Sequence, residues 1–288
     1  MTFVRHIPLK AIAVVIITAL AFSNYAQAHD STHVRSKWLD EYPKHVGLTY
    51  SGEMSINANY IWRGLYVGGL NLQAEASVGY GGLFYTLWGN IGTSNWAFSS
   101  LMPEVDNTIG FSRWGLTVLF IHMYYFDQNE DGTRSQFFDF GNHEKGGITT
   151  EWRIKYKVSS KLPLSILLCT RTWGRDGYRD EHGELQRAYS TYCELGYDFK
   201  LPYSLTLETR LGFTPWKSFY TRYKGDFAVT NISAQLIYRY AITDYCTLHA
   251  NAMLMFNPWH VTKDNMQWNS TNPSEQRLNM NIALGVTF

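Results

Sequence analysis

Charged side chains recur at every second position in several parts of the chain. Residues 151–157 read Glu-Trp-Arg-Ile-Lys-Tyr-Lys, and Glu208 and Arg210 repeat the same spacing. In an extended strand, residues at this spacing share one face. A row of unlike charges on one face can form ion pairs, or it can bind and steer charged solutes.

A second chemical pattern lies in residues 127–132, which read Asp-Gln-Asn-Glu-Asp-Gly. Oxygen ligands at Asp127, Asn129 and Asp131, followed by a glycine, resemble the first half of a calcium-binding loop. The twelfth position is Phe138, where an EF-hand needs Glu, so an EF-hand is excluded. A weak surface calcium site and a solvated acidic hairpin stay open as alternatives. No other metal and no cofactor is predicted.

The three cysteines, Cys169, Cys193 and Cys246, show no C-x-x-C spacing that would suggest zinc or a redox pair. In the predicted strand register Cys169 points to the face opposite that of the other two. We therefore predict no disulfide and interpret all three as small apolar residues.

The composition excludes two broad classes of protein. Of the 288 residues, 45% are hydrophobic and 16% aromatic, and 25 Lys and Arg balance 24 Asp and Glu. So much apolar material is not typical of a disordered chain, and a net charge near zero is not typical of a nucleic-acid binder. The longest apolar run, residues 11–22, is shorter than the roughly 20 residues of a transmembrane helix.

The start of the chain has the features of a secretion signal. Arg5 and Lys10 precede the apolar run, and Ala26-Gln27-Ala28 forms a signal-peptidase site. We predict that residues 1–28 are a cleaved signal peptide and that the mature chain begins at His29. Residues 29–46 are predicted to be a periplasmic N-terminal segment.

The rest of the sequence alternates with a period of two, which is typical of β-strands. In the last segment one face carries only large apolar residues: Leu278, Met280, Ile282, Leu284, Val286 and Phe288. Twelve segments of this kind are found, at residues 47–61, 70–80, 83–95, 104–112, 115–127, 147–158, 163–173, 187–199, 204–215, 227–240, 245–256 and 277–288. Longer connections alternate with short ones, which lie at residues 81–82, 113–114, 159–162, 200–203 and 241–244.

This rhythm is typical of a bacterial outer-membrane barrel. A sheet in lipid must close on itself, because lipid cannot hydrogen-bond a free strand edge. Aromatic residues near the strand ends would form two interfacial girdles, with Trp62, Trp96, Trp173 and Trp216 toward the long loops and Tyr80, Trp114, Tyr156, Phe199, Tyr203 and Tyr240 toward the turns. We predict an all-β fold over residues 47–288: a transmembrane antiparallel up-and-down β-barrel of twelve strands, with short periplasmic turns and longer extracellular loops. A secreted β-sandwich is the alternative, because alternation alone does not say which face meets water.

Two stretches carry a resemblance to a known family. Residues 55–64 read Ser-Ile-Asn-Ala-Asn-Tyr-Ile-Trp-Arg-Gly, and residues 79–90 read Gly-Tyr-Gly-Gly-Leu-Phe-Tyr-Thr-Leu-Trp-Gly-Asn. They resemble the start of a family of uncharacterised bacterial outer-membrane proteins described as porins, whose first strand ends in aromatic-Arg-Gly. The resemblance covers the first third of the chain and departs from the family pattern at residues 83–85. It implies a barrel and a pore, without a solute.

The strand register places charged side chains of both signs in the lumen. The predicted inward acids are Glu53, Glu75, Asp106, Glu151, Glu194, Asp198 and Glu208, and the predicted inward bases are Arg63, Arg153, Lys155, Lys157, Arg171, Arg210 and Arg239. A wide pore tolerates such groups because water solvates them, whereas a narrow lumen must pair them. Both a weakly selective channel and a lumen nearly shut by salt bridges therefore stay open.

Two features bear on that choice. Leu119, Ile121 and Met123 are predicted to face inward, where they could contact an apolar solute or pack against an inserted segment. Residues 29–46 are the candidate plug. Arg63 is predicted to point inward at the outer mouth, where it could bind anions or pair with a nearby acid and hold the first loop.

Barrel enzymes that hydrolyse lipids or transfer acyl groups need a nucleophile and a base at one depth of the wall. His122 is predicted to face outward near Tyr124, and His249 to face inward beside Thr247 and Asn251. Neither histidine has an adjacent Ser in a recognisable signature. We predict no enzyme activity, and a lipid-modifying barrel enzyme is the least favoured alternative.

These patterns together predict a channel in the bacterial outer membrane for passive passage of small hydrophilic solutes or ions. A plugged barrel with a structural or surface-binding role is the alternative. The expected partners are outer-membrane lipids, small solutes and the barrel assembly machinery, the last through the C-terminal strand that ends at Phe288. No nucleic-acid partner is expected.

Overall fold

The computed structural model describes residues 47–93, 101–126, 136–142, 144, 146–159, 161–259 and 277–288. The predicted signal peptide, the candidate plug at 29–46, Trp96 and the calcium-loop residues Asp127, Asn129 and Asp131 lie outside the described residues. Within the described part of the chain, no helix is both long and apolar enough to cross a membrane.

Sixteen strands are described: β1 (Leu48–Asn57), β2 (Tyr60–Trp62), β3 (Leu65–Gly68), β4 (Asn71–Tyr80), β5 (Leu83–Thr93), β6 (Leu101–Arg113), β7 (Leu116–Tyr125), β8 (Ile148–Lys157), β9 (Leu164–Gly174), β10 (Gly177–Arg179), β11 (Leu185–Arg187), β12 (Thr191–Leu201), β13 (Leu205–Thr214), β14 (Ala228–Thr243), β15 (Cys246–Phe256) and β16 (Leu278–Thr287). A short 3-10 turn, Phe219–Thr221, lies between β13 and β14.

Twelve of these strands form a closed antiparallel barrel in the order β1-β16-β15-β14-β13-β12-β9-β8-β7-β6-β5-β4. The first and last strands close it, with Glu53 opposite Thr287. Next to that pair, Gly52 and Phe288 exchange two backbone hydrogen bonds of 2.7 and 2.9 Å. The remaining four strands form two hairpins, β2 with β3 and β10 with β11. The predicted twelve-stranded barrel is thus confirmed.

The wall of the barrel is apolar on its outside. On β16 the side chains of Met280, Ile282 and Leu284 are 61%, 60% and 54% exposed, whereas Asn279 and Asn281 are each 8% exposed. A soluble sandwich does the opposite, because it buries its apolar faces against each other. The outward apolar face therefore excludes the sandwich and fits a sheet surrounded by lipid.

Long and short connections alternate, so the barrel has a loop end and a turn end. The β6–β7 turn is formed by Trp114 and Gly115, one residue later than predicted, because both take positive φ angles of 54° and 78°. Such angles are what a two-residue hairpin turn requires. The β14–β15 turn is formed by Asp244 and Tyr245, since β14 extends to Thr243.

Two predicted strands are too long or misplaced. The strand predicted at 47–61 ends at Asn57, and residues 60–62 belong to the separate β2–β3 hairpin. The strand predicted at 187–199 is β12 (Thr191–Leu201), because residues 185–187 pair in the β10–β11 hairpin. In both places the hairpin strand continues the alternation, so the pattern alone does not mark where the chain leaves the wall.

The predicted girdles need one correction. Trp62 is not at the interface: it lines the lumen, and its ring centroid lies 5.6 Å from that of Tyr220. Trp173 and Trp216 are exposed at the loop end. The six aromatic residues predicted for the turn end are all exposed: Tyr80, Trp114, Tyr156, Phe199, Tyr203 and Tyr240.

Candidate functional site

The barrel encloses a cavity of about 890 Å³ lined by charged, polar and aromatic side chains. Thirteen of the fourteen charged residues predicted to face the lumen line it: Glu53, Arg63, Glu75, Asp106, Arg153, Lys155, Lys157, Arg171, Glu194, Asp198, Glu208, Arg210 and Arg239. Glu151, the fourteenth, is completely buried. That these residues act on a passing solute stays a prediction.

Residues 58–70, which we call the lumen hairpin, leave the wall after β1 and return to it at β4. Near its base, Tyr60 donates a hydrogen bond to Glu104 on β6 at 3.2 Å. At its tip, the Gly64 carbonyl accepts a hydrogen bond from Asn257 Nδ2 at 3.0 Å, and Gly64 touches Thr230 on β14. Because β14 lies three strands from β1 in the barrel, the hairpin contacts a part of the wall that is not adjacent to its own strands.

Arg63 fixes the tip of the lumen hairpin to the far wall. Its two terminal nitrogens donate to the two carboxylate oxygens of Glu151 on β8, at 2.5 and 2.7 Å. One of them also donates to Tyr220 Oη at 2.6 Å, and the other lies 2.8 Å from the Cys169 sulfur. Arg153 Nη2 donates to the same carboxylate at 2.9 Å. Arg63 therefore adopts the second of its two predicted roles, pairing with an acid and holding the first loop.

The charge of Arg63 is maintained in this buried setting. Burial by itself lowers the pKa of the guanidinium, but the neighbouring Cys169, Glu151 and Tyr220 groups outweigh that effect and raise the pKa well above its ordinary value. The fork of a guanidinium matches both oxygens of a carboxylate, which makes this arrangement a strong ion pair.

The tip also needs a residue without a side chain. Gly64 has φ of +84°, and a Cβ built there would lie 2.7 Å from the Thr230 carbonyl carbon and 3.2 Å from Asn231 Cα. Because both atoms belong to the backbone of β14, they cannot move aside independently. The sequence Arg63-Gly64 thus combines an anchor with a close backbone approach.

Charges in the lumen are sorted by wall. The acids Glu53, Glu75, Glu104 and Asp106 come from β1, β4 and β6, and no basic residue lies among the described lining residues of these strands and β5. Strands β8, β9, β13 and β14 contribute six basic lining residues: Arg153, Lys155, Lys157, Arg171, Arg210 and Arg239. The same side also carries the acids Glu194, Asp198 and Glu208, so its excess of positive charge is partial. A solute in the cavity therefore experiences a field directed across the barrel.

Glu104 was not among the predicted lumen residues. It lies two positions before Asp106 on the same strand, so strand parity alone could have placed it on the inner face. It was missed because the predicted strand began at this residue, whereas β6 begins at Leu101.

On the basic side, three acids hold one arginine. Arg210 donates to Asp198 at 2.7 Å and to Glu208 at 2.8 Å, and its Nε lies 3.6 Å from Glu194. This network stiffens the wall between β12 and β13 and uses up the acids of that side. The side chain of Lys155 lines the same cavity and makes no ion pair or hydrogen bond within the described residues.

The other sequence candidates have these positions. Leu119, Ile121 and Met123 line the cavity, as predicted. His122 Nε2 lies 2.9 Å from the Phe137 carbonyl oxygen, and His249 Nε2 lies 3.7 Å from Glu53. The described residues contain no group of three or more His, Cys, Asp or Glu that could hold a metal ion. All three cysteines are free thiols, and Cys169 is buried.

No protein-family model matches the chain, and no curated protein matches it. Similar solved structures include outer-membrane porins and channels. The KdgM porin is 9% identical over 83% of this chain and 98% of that chain, with a TM-score of 0.41. The NanC porin is 12% identical over 83% and 99%, with a TM-score of 0.44. An outer membrane channel from Pseudomonas putida F1 is 9% identical over 90% and 99%, with a TM-score of 0.45. Because these identities and TM-scores are low, the fold assignment rests on the strand pairing of this chain itself.

Proposed function

We propose that this chain is a channel of the bacterial outer membrane that allows small hydrophilic solutes or ions to pass passively. The observation that carries the proposal is the polar, charged cavity of about 890 Å³ inside a closed barrel whose outer wall is apolar. An apolar exterior needs a lipid environment, and a charged interior needs water. Export by the predicted signal peptide and insertion through the C-terminal strand are part of this proposal.

The sorted charges support passage with weak ion preference. Acids on one wall face bases on the other, so both anions and cations find complementary groups in the cavity. A field across the lumen also orients dipolar solutes as they enter. We expect small polar molecules to pass more readily than apolar ones of equal size.

A second candidate function is a closed barrel with a structural or surface-binding role. The lumen hairpin favours it, because Arg63 and Gly64 tie the hairpin to the far wall. In this case the channel would conduct little until the hairpin moved.

Liposome swelling distinguishes the two. The protein is inserted into vesicles, and swelling is followed with uncharged sugars of increasing size and with a zwitterionic amino acid. A channel gives swelling rates that fall with solute size, while vesicles carrying heat-denatured protein stay inert. No swelling with any solute, from vesicles in which the barrel is demonstrably folded, would contradict the channel and favour the closed barrel.

A further inference from the structure

Arg171 is a buried cation in the lumen that the ion pairs described above do not include. It lies on β9, lines the cavity and is 3% exposed. Its guanidinium carbon lies 4.0 Å from the ring centroid of Phe219 and 5.7 Å from that of Trp62. Its Nε is buried without a hydrogen-bond partner. Within the described residues, Arg171 makes no ion pair.

The acids nearest to Arg171 are already engaged. Glu151 accepts from Arg63 and Arg153. Asp176 accepts from the Ser190 backbone N–H at 2.7 Å and from the Ser190 hydroxyl at 2.5 Å. Both carboxylates act on the charge of Arg171 through space, but neither forms an ion pair with it among the described residues.

Two further arginines increase the positive charge of this region. Arg175 follows β9 immediately, and Arg222 follows the 3-10 turn that carries Phe219. Both side chains line the same cavity as Arg171. The lining near Arg171 therefore includes two further guanidinium groups.

We propose that Arg171 is the centre of an anion-binding site at the loop end of the lumen, which takes the carboxylate or phosphate group of a small solute. A planar guanidinium stacked on an aromatic ring keeps its edge free to donate two parallel hydrogen bonds to such a group. A buried Nε–H without a hydrogen-bond partner is costly, and a bound anion that accepts from it removes that cost. The proposal goes beyond the channel function, because binding requires only the folded barrel and an open path to the cavity.

The test uses inorganic phosphate and acetate as probes on the folded protein in non-ionic detergent. Thermal unfolding of the barrel is followed as either probe replaces chloride at constant ionic strength. Arg171→Gln is compared with Lys155→Gln, which removes the same charge from the same lumen on the neighbouring strand. Phosphate is expected to raise the unfolding midpoint of the wild type and of Lys155→Gln. Arg171→Gln is expected to bind phosphate about ten-fold or more weakly than the wild type, because it loses a charge-assisted hydrogen bond.

Several results would overturn the site. One is an equal phosphate effect in Arg171→Gln and Lys155→Gln, which would indicate general screening of lumen charge. Another is no effect of either probe on the wild type. If Arg171→Gln does not fold, Arg171→Lys replaces it, because it keeps the charge and loses the fork. It must then bind phosphate more weakly than Lys155→Gln, and equal binding would again overturn the site. A barrel that fails to conduct but shows Arg171-dependent phosphate binding would contradict the channel and leave the site standing.

Discussion

Arg63 joins the tip of the lumen hairpin to Glu151 on the opposite wall. An ion pair buried as deeply as Arg63 and Glu151 contributes modestly to net stability compared with an apolar pair, but removing one partner is expensive. The main effect of this ion pair is therefore to hold the lumen hairpin in one position. Tyr220, which also accepts a hydrogen bond from Arg63, extends the contact to the loop after β13.

Arg63→Gln is expected to release the lumen hairpin. The substitution removes the fork from Glu151 and is predicted to lower the free energy of unfolding by about 3 kcal/mol. It should also raise single-channel conductance, because the hairpin loses its far anchor. Denaturant unfolding in lipid vesicles and planar-bilayer recording measure the two effects.

Arg179→Gln is the matched control, since it breaks an ion pair with Glu144 that is exposed at the surface. Exposed pairs contribute about 0–1 kcal/mol, so stability and conductance should both stay close to wild type. Equal behaviour of the two variants would show that Arg63 does not hold the hairpin.

Gly64→Ala tests the close approach of the hairpin tip to β14. The new methyl group collides with the Thr230 carbonyl group, so the tip must move away from the wall. Gly183→Ala is the control, because Gly183 has a similar φ of +79° and nothing within 4 Å of its Cβ position. In both variants the free energy of unfolding should fall by about 1 kcal/mol, because alanine is strained in the left-handed backbone conformation. Only Gly64→Ala should lose more and change the conductance, and similar losses in both would contradict the contact.

The direction in which single side chains point could largely be predicted from the sequence. Strand parity placed Arg153 and Arg171 on the inner face, and both line the cavity. Arg63, predicted inward by the same parity, also lines the cavity, but it does so from the lumen hairpin and not from a wall strand. Parity does not tell which partner a side chain meets, because partners such as Arg63 and Glu151 are 88 positions apart and come together only when the barrel closes. The bidentate pair therefore appears only in the folded chain.

At the scale of elements, the β10–β11 hairpin offers a titratable contact outside the barrel wall. Asp180 accepts hydrogen bonds from the backbone N–H groups of His182 and Glu184 and from Gln186. Desolvation raises the pKa of Asp180, but these hydrogen bonds together outweigh it and lower the pKa below its ordinary value. The charged group therefore stabilises the hairpin above pH ~3.9, and this contribution is lost as the pH falls through the lowered pKa.

We expect this hairpin to loosen in acid. Pepsin cleavage between β9 and β12 should increase as the pH is lowered below ~4, the ordinary pKa of Asp. Asp180→Asn cannot titrate, and it serves as a reference for the pH dependence of pepsin itself. If the two proteins show the same change with pH, then Asp180 does not control the hairpin.

The bounds of the strands could be predicted well where the strands lie in the barrel wall and less well where the chain leaves the wall. β16 follows from its strict alternation, which lipid on one side and water on the other impose on every barrel strand. The β2–β3 hairpin does not follow, because Tyr60 and Trp62 continue the alternation of β1 while lining the lumen. The chain is held there by the contact of Arg63 with Glu151 on the opposite wall, and no local sequence pattern indicates that contact.

At the scale of the whole molecule, the barrel needs its apolar face toward lipid and its polar face toward the lumen. Gln235 and Leu236 are adjacent on β14, and Gln235 lines the cavity while Leu236 is exposed on the outside. Leu236→Lys is predicted to lower the free energy of unfolding in lipid vesicles by about 2–4 kcal/mol, and Gln235→Lys by less than about 1 kcal/mol. Equal losses at the two positions would mean that the outer wall does not face hydrocarbon.

Planar-bilayer recording of the refolded protein under a salt gradient tests directly whether the barrel conducts. We predict discrete conductance steps and a small reversal potential, because the lining carries acids and bases in similar numbers. Glu75→Gln should shift the reversal potential toward anion preference, and Lys155→Gln should shift it toward cation preference by a similar amount. The absence of steps from a barrel shown to be folded, in the wild type and in Arg63→Gln alike, would contradict the channel.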